Sequence, residues 1–234
     1  MKQIFSVLIL LVLGWLLLGL VPLAQPTEPG AVASHYIEHG IEENRAANLV
    51  TSVIVNYRGL DTLGEVTVLF LSVAGAGFVL RRREGNVRRE CRPSSEILQT
   101  GARILFTPIM VFGVYIFVHG HLSPGGGFQG GAVVASAVLL LLLADRQRRL
   151  PRGLLHWLES AAGFAYVLAG LAGLAIAGSF LSNQGVLPLG TWNTLFSAGV
   201  IPVIYILVGL KVGTELANLL DTMIDTGRPE GDSQ

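Results

Sequence analysis

The run GFQGGAVVASAVLLLLLA, residues Gly127–Ala144, contains no Asp, Glu, Lys or Arg. As a helix rising about 1.5 Å per residue it nearly spans a hydrocarbon layer of about 30 Å, a crossing that takes roughly 20 residues. Lipid offers no partner to open backbone N–H and C=O groups, so a segment of this kind is either a helix or a strand of a closed barrel. The run lacks the period-two alternation of a strand lining a lumen, which leaves the helix.

Five more apolar runs flank it: Ile4–Ala24, Leu60–Leu80, Ile104–His121, Leu155–Gly178 and Phe196–Ala217. The sequence therefore predicts an all-α integral membrane protein of six transmembrane helices. Of 234 residues, 51% are hydrophobic and 14% charged, which is too little charge to cover a water-soluble globule of this size. Lys plus Arg and Asp plus Glu number 16 each, and that balance, with no basic-aromatic stripe, argues against nucleic-acid binding. Lys2 precedes the first run as in a signal peptide, but the run exceeds the usual core of about 7–15 residues and no A-x-A site follows it. Residues 1–24 are read as an uncleaved span, with a cleaved signal as the alternative.

Basic residues set the orientation. Arg81, Arg82, Arg83, Arg88, Arg89, Arg92 and Arg103 crowd one connection, and Arg146, Arg148, Arg149 and Arg152 the next but one. The opposite connections carry Arg45 and Arg58 in residues 25–59 and no Lys or Arg in 122–126 or 179–195. Under the positive-inside rule both arginine-rich connections are cytoplasmic, and so are both termini, where Lys2 and Arg228 lie. The chain is expected in the plasma membrane of a prokaryote as a multi-pass protein.

The outer segment Pro26–Asn56 opens as a turn-rich stretch and continues through Glu42, Glu43 and Arg45. Leu49, Val50, Val53 and Ile54 then fall at helical spacing, which predicts a helix lying in the membrane plane and feeding the second span. A short strand is the alternative. Residues 226–234 read as a disordered tail. Cys91 is the one cysteine, so no internal disulfide forms, and no His/Cys set with zinc spacing accompanies it. The halves do not echo each other as in an inverted-repeat carrier, which disfavours a complete stand-alone transporter.

Ionisable residues inside a span are costly and often serve an ion path. Asp61 and Glu65 are four apart near the outer end of the second span and share one helix face, with Ser72 two turns further along it. Asp61 has the ordinary alternative of a helix cap. Glu65 lies about a turn deeper, where a carboxylate wants a cation, a proton or a donor. Lys211 and Glu215 repeat the spacing in the cytoplasmic half of the last span, as ion-path residues or as a structural pair. Glu159, beside Trp157, reads as interfacial.

His119 and His121 close the third span at the outer surface; two residues apart on a helix, they do not suit one metal ion, and no metal site is expected. A proton-accepting or loop-ordering role, or ordinary hydrogen bonding at the helix end, fits them better. The following Ser123-Pro-Gly-Gly-Gly-Phe-Gln-Gly-Gly131 resembles a phosphate cradle, but no Gly-Lys-Ser/Thr follows. Pro124 and Gly125 instead form a short turn into a helix whose Gly126, Gly127, Gly130 and Gly131 admit a close neighbour. Small residues recur at Ala169, Gly173 and Ala177 and at Gly209 and Gly213, and so many close-packing faces imply one part of a larger membrane assembly.

His119-Gly-His121 with Ser123–Gly131 resembles the signature of the B-subunit family of multisubunit (Mrp/Mnh type) Na⁺/H⁺ antiporters. The likeness runs from about Gln99 to Asp221 through Arg103, Pro108, Tyr115 and Trp192-Asn193. Upstream, Val55-Asn-Tyr-Arg-Gly-Leu-Asp-Thr-Leu-Gly-Glu-Val66 is similar to the C-terminal end of the large antiporter subunit, and to a small separate subunit of ion-translocating membrane hydrogenases. Arg58, Asp61 and Glu65 match that pattern, whereas Asn56 stands where members often carry an acid. The chain then divides into a two-span module at 1–92, a four-span B-type domain at 93–225 and the tail.

The resemblance implies a non-catalytic subunit, without a cofactor, of an assembly that couples Na⁺ or another monovalent cation to H⁺. The implied partners are other membrane subunits and the lipid bilayer. Asp61, Glu65, Lys211 and Glu215 are the ion-path candidates, and Arg58, His119 and His121 the outer entrance. The same subunit in the membrane arm of a redox-driven complex and a purely structural assembly subunit are the alternatives. No nucleophile-base pair or nucleotide loop points to an enzyme.

Overall fold

The computed structural model describes residues 2–20, 29–81, 94–145 and 148–225. Among them there is no strand. In chain order the helices are α1 (Lys2–Leu20), α2 (Ala31–Asn44), α3 (Leu49–Thr51), α4 (Gly59–Arg81), α5 (Glu96–Val118), α6 (Gly127–Ala144), α7 (Arg152–Ala177) and α8 (Ile201–Asp225). A π-helical stretch, Ser52–Tyr57, joins α3 to α4. The five helices α4 to α8 are long and apolar enough to cross a membrane, while the apolar part of α1, Ser6–Gly19, is shorter. Outside the described residues lie 21–24 of the predicted first span, most of the first arginine-rich connection with Cys91 and the 92/93 module junction, Arg146, and the tail with Arg228.

Met1–His35 and Tyr36–Gln234 form separate compact units. In the first, α1 exposes nearly every described side chain, Trp15 at 74% among them. In the second, α8 is the hub, packed by α4, α5, α6 and α7. Its Ile201, Ile204, Tyr205, Val208 and Val212 form the core with Val55, Val66, Tyr166 and Leu181.

The boundaries of the third and last spans differ most from the sequence reading. The third span begins at Glu96 instead of Ile104, because Ser95 caps it by accepting a bond from the Leu98 N–H (3.3 Å). Arg103 therefore sits two turns inside α5 and not in the connection, and it is exposed. The last span begins at Ile201 instead of Phe196 and continues to Asp225. Ala198 and Gly199 have φ of 68° and 58°, so no right-handed helix can run through them and α8 starts after them. Pro202 falls in the first turn, where no N–H is needed.

The outer segment is helical, as α3 and the π-turn, and not a strand. Helix α2 is a difference from the sequence reading, in which its first residues belong to a turn-rich stretch; within it only Gly40 and Asn44 are buried, so no apolar stripe marks it. Among the spans, α4 buries the least, exposing Leu60, Val68, Leu71, Phe78 and Val79 at 61–74%.

Candidate functional site

Helix α8 reads GLKVGTELANLLD from Gly209, an apolar surface broken by Lys211 and Glu215. One turn apart, the two form an ion pair. Glu215 is fully buried and the Lys211 side chain is 12% exposed. With α8 running from 201 to 225, the pair lies midway along the helix, which starts later and ends later than its apolar run suggested. Isolated charges at that depth cost about 2.5–3.5 kcal/mol each on insertion scales, so the pairing is what makes them tolerable. It is incomplete, since Glu215 Oε2 is buried without a hydrogen-bond partner. The ammonium also sits 5.0 Å from the Phe70 ring centroid of α4. Gly163 of α7 lies beside it: a Cβ there would stand in ordinary contact, 3.6 Å from Lys211 Cδ. A cavity of about 130 Å³ opens at this point, lined by Lys211, Thr67, Gly163 and Tyr166 with apolar neighbours.

Glu159 is buried at 7% exposure and lies 3.8 Å from His156 Nδ1. This corrects its reading as an interfacial residue: the α7 face that carries it turns toward α8, while Trp157 turns away at 66% exposure.

Asp61 pairs with Arg58, Arg58 Nε donating at 2.6 Å, and both side chains are more than half exposed. Glu65 is also exposed, not buried within the chain as its depth implied, because α4 meets the rest of the bundle through another face that includes Thr62 and Val66. In a bilayer an exposed carboxylate at that depth needs a group from outside this chain.

The two histidines diverge. Helix α5 ends at Val118, so His119 caps it, with its ring stacked on Tyr115 (centroids 4.1 Å apart). His121 lies beyond the helix, fully buried, Nε2 3.3 Å from the Thr194 carbonyl. Burial pushes its pKa below the ordinary histidine value, and Nδ1 has no partner. The same outer layer ties Asn48 Nδ2 to the Gly120 and Ser123 carbonyls (3.0 and 3.1 Å), and Tyr205 donates through Thr51 to Gly120. Tyr57 donates to Glu43, and burial followed by that carboxylate raises its pKa.

Past Pro124, Gly125 takes φ +151° and the chain enters α6, whose glycines hold it between α5 and α8. A Cβ at Gly130 would stand 2.7 Å from the Gly113 carbonyl oxygen; one at Gly131 would stand 2.8 Å from that of Gly209. At Gly127 it would meet Val208 at 2.6 Å, and at Gly126 the Gln129 side chain at 2.9 Å. These glycines close contacts within the chain, so they are not in themselves evidence of a partner.

Sequence reasoning missed two features. Asn44, Asn56 and Asn183 form a knot: Asn56 Nδ2 donates to Asn44 Oδ1 (2.7 Å), Asn56 Oδ1 accepts from the Asn183 N–H (3.0 Å), and Asn183 Oδ1 accepts from the Val200 N–H (2.8 Å). Asn56 both donates and accepts, which an ionised carboxylate cannot do. Asp221, 1% exposed, accepts from Arg152 Nε at 2.8 Å. The i, i+3/i+4 spacing of Lys211, Glu215, Asn218 and Asp221 was the available signal for it.

Residues 97–218 match the model of a domain related to the MnhB subunit of Na⁺/H⁺ antiporters. The chain belongs to this MnhB-related family. Residues 3–102 match a second family model, that of MbhE, a subunit of MBH. An uncharacterized protein of Methanocaldococcus jannaschii is 31% identical over 189 residues, 70% of this MnhB-related chain and 72% of the other. A chain in the structure of the membrane-bound sulfane sulfur reductase, an archaeal respiratory membrane complex, superimposes with TM-score 0.81 at 44% identity, covering 95% of this chain and 98% of that one. A chain in the structure of the Mrp complex from Dietzia aligns with TM-score 0.77 at 25% identity; all of this chain is covered, against 26% of that one. The MnhB-related chain is thus a multi-pass protein of a prokaryotic plasma membrane.

Proposed function

We propose that this chain is a non-catalytic membrane subunit of a multisubunit assembly that exchanges a monovalent cation, Na⁺ in the family's description, for H⁺. The supporting observation is the Lys211–Glu215 pair, held midway along a span beside a cavity with one carboxylate oxygen unpartnered. Its partners in this reading are the other membrane subunits, which meet it on the exposed α4 face bearing Asp61 and Glu65. Residues 1–92 and 93–225 serve as two modules, the first of large-subunit-terminus type and the second of B type.

One observation favours a particular setting for that module. The match to the respiratory-complex chain runs nearly end to end on both sides, whereas this chain spans about a quarter of the aligned Dietzia chain. In that setting, electron transfer in other subunits drives the ions.

The test compares everted membrane vesicles with and without the chain, reading cation-dependent proton flux and complex recovery on one preparation. The proposal expects flux to vanish without the chain. Unchanged flux through an assembled complex lacking it would refute the proposal. Flux that starts on addition of an electron donor and acceptor identifies the redox-driven setting; flux driven by an imposed pH gradient alone identifies a stand-alone antiporter.

A further inference from the structure

The face that α7 turns toward α8 carries Arg152, His156, Glu159 and Gly163 at spacings of three and four residues, and the opposing face of α8 carries Asp221, Asn218, Glu215 and Lys211 in matching order. Two rungs are direct contacts, Arg152 Nε meeting Asp221 Oδ2 at 2.8 Å and His156 Nε2 lying 3.5 Å from Asn218 Nδ2, and the buried carboxylates Glu159 and Glu215 come next in order on the two faces. Lys211 then closes on Gly163 and on the cavity. Successive rungs are three or four residues apart, an axial step of about 4.5–6 Å, short enough for direct contact or one bridging water.

Two independent features mark this seam as more than packing. Among the described residues, Asp221 Oδ1 and Glu215 Oε2 are both buried, on residues 1% and 0% exposed, and neither has a hydrogen-bond partner. Along the described seam three carboxylates, Glu159, Glu215 and Asp221, also face two obligate cations, Arg152 and Lys211, while His156 adds charge only when protonated. Helix α6 has no ionisable residue, and on α4 the Phe70 ring faces Lys211. A surplus carboxylate among apolar helices favours taking up a proton. Arg152 and Lys211 at the two ends of the seam repel a metal cation but leave that proton in place.

We infer that the α7/α8 seam is a proton route, open at the arginine-rich end of the bundle and ending at the mid-span Lys211–Glu215 pair. It rests on the function proposed above and names the path within it. A proton leaving the Asp221 carboxyl forms an N–H bond at His156 Nε2 as the His156 Nδ1–H bond breaks toward Glu159, whose own O–H bond then breaks as one forms on Glu215 Oε2, each gap closed by a bridging water, and no electron moves.

The test uses the assembled complex in everted vesicles, with recovery and flux read together. Glu159→Gln, which keeps size and hydrogen bonding, is expected to assemble and to lose at least about tenfold in proton flux, the scale of a lost proton-transfer group; Glu159→Asp should retain part of it. Added azide, a small membrane-permeant weak acid, should restore flux to Glu159→Gln, which no loss of packing would allow. Asp221→Asn should behave alike. Wild-type flux in assembled Glu159→Gln, or a loss that azide leaves unchanged, overturns the route. If removing the whole chain abolishes flux while the seam variants transport normally, the seam alone is refuted; if removing the chain changes nothing, the function proposed above fails instead.

Discussion

Replacing Gly131 by Ala adds one methyl group where α6 crosses α8. That Cβ would stand 2.8 Å from the Gly209 carbonyl oxygen and from Val212 Cβ, and 3.0 Å from the Gly213 N–H nitrogen. Comfortable contacts between carbon atoms lie near 3.5–4.0 Å, so the helices must part by about 0.7–1 Å. Backbone cannot swing aside as a flexible side chain can. The separation also loosens Gly127 against Val208 and the Tyr205 carbonyl, on the same face one turn earlier. Overpacking of this kind costs about 1–3 kcal/mol, which outweighs the roughly 0.5–1 kcal/mol that Ala gains over Gly in a helix. The control is Gly101→Ala on α5, where an added Cβ meets nothing in the chain within 4 Å. Both variants are purified from membranes with their partners in mild detergent, and yield and heat-aggregation midpoint are compared. Gly131→Ala should fall clearly below Gly101→Ala, and Gly131→Leu should fail to give complex. A Gly131→Ala complex matching wild type in yield and midpoint would refute the close-packing account.

Glu65→Gln should leave the complex assembled yet cut cation-dependent proton flux by at least about tenfold, with Glu65→Asp keeping part; full flux through an intact Glu65→Gln complex would end the case for an ionisable role. Burial lowers the His121 pKa, so the folded state holds it neutral while the unfolded chain protonates near pH 6.5. Its stabilisation is therefore complete above about pH 6.5 and lost as pH falls below it, and His121→Gln should flatten the acid limb of the melting profile. The orientation expected from the basic residues predicts that an impermeant thiol reagent leaves Cys91 unlabelled in intact cells, and labelling of this cysteine would reverse the topology.

Much of the fold was legible in the sequence because the bilayer is a demanding solvent. Every spanning backbone group must be satisfied within its own segment, so the apolar runs at 60–80 and 127–144 had to be helices before any packing was known. The turn at Pro124–Gly125 and the close approach at Gly127 and Gly131 were readable for a similar reason: a missing side chain is visible in one dimension. Which helix fills that space is not, and the tertiary structure supplied α5 and α8 of the same chain. Depth was misread where a boundary depends on long-range contacts. Ala198 and Gly199 are held left-handed by a loop anchored through Asn183, and that later start, together with the extension of α8 to Asp225, puts Lys211 and Glu215 midway along the helix. Burial, likewise, belongs to pairs of helices. Periodicity put Glu65 and Glu159 each on a helix face, but the docking of α7 on α8, with α4 turned outward, is what buried Glu159 and left Glu65 to a neighbour.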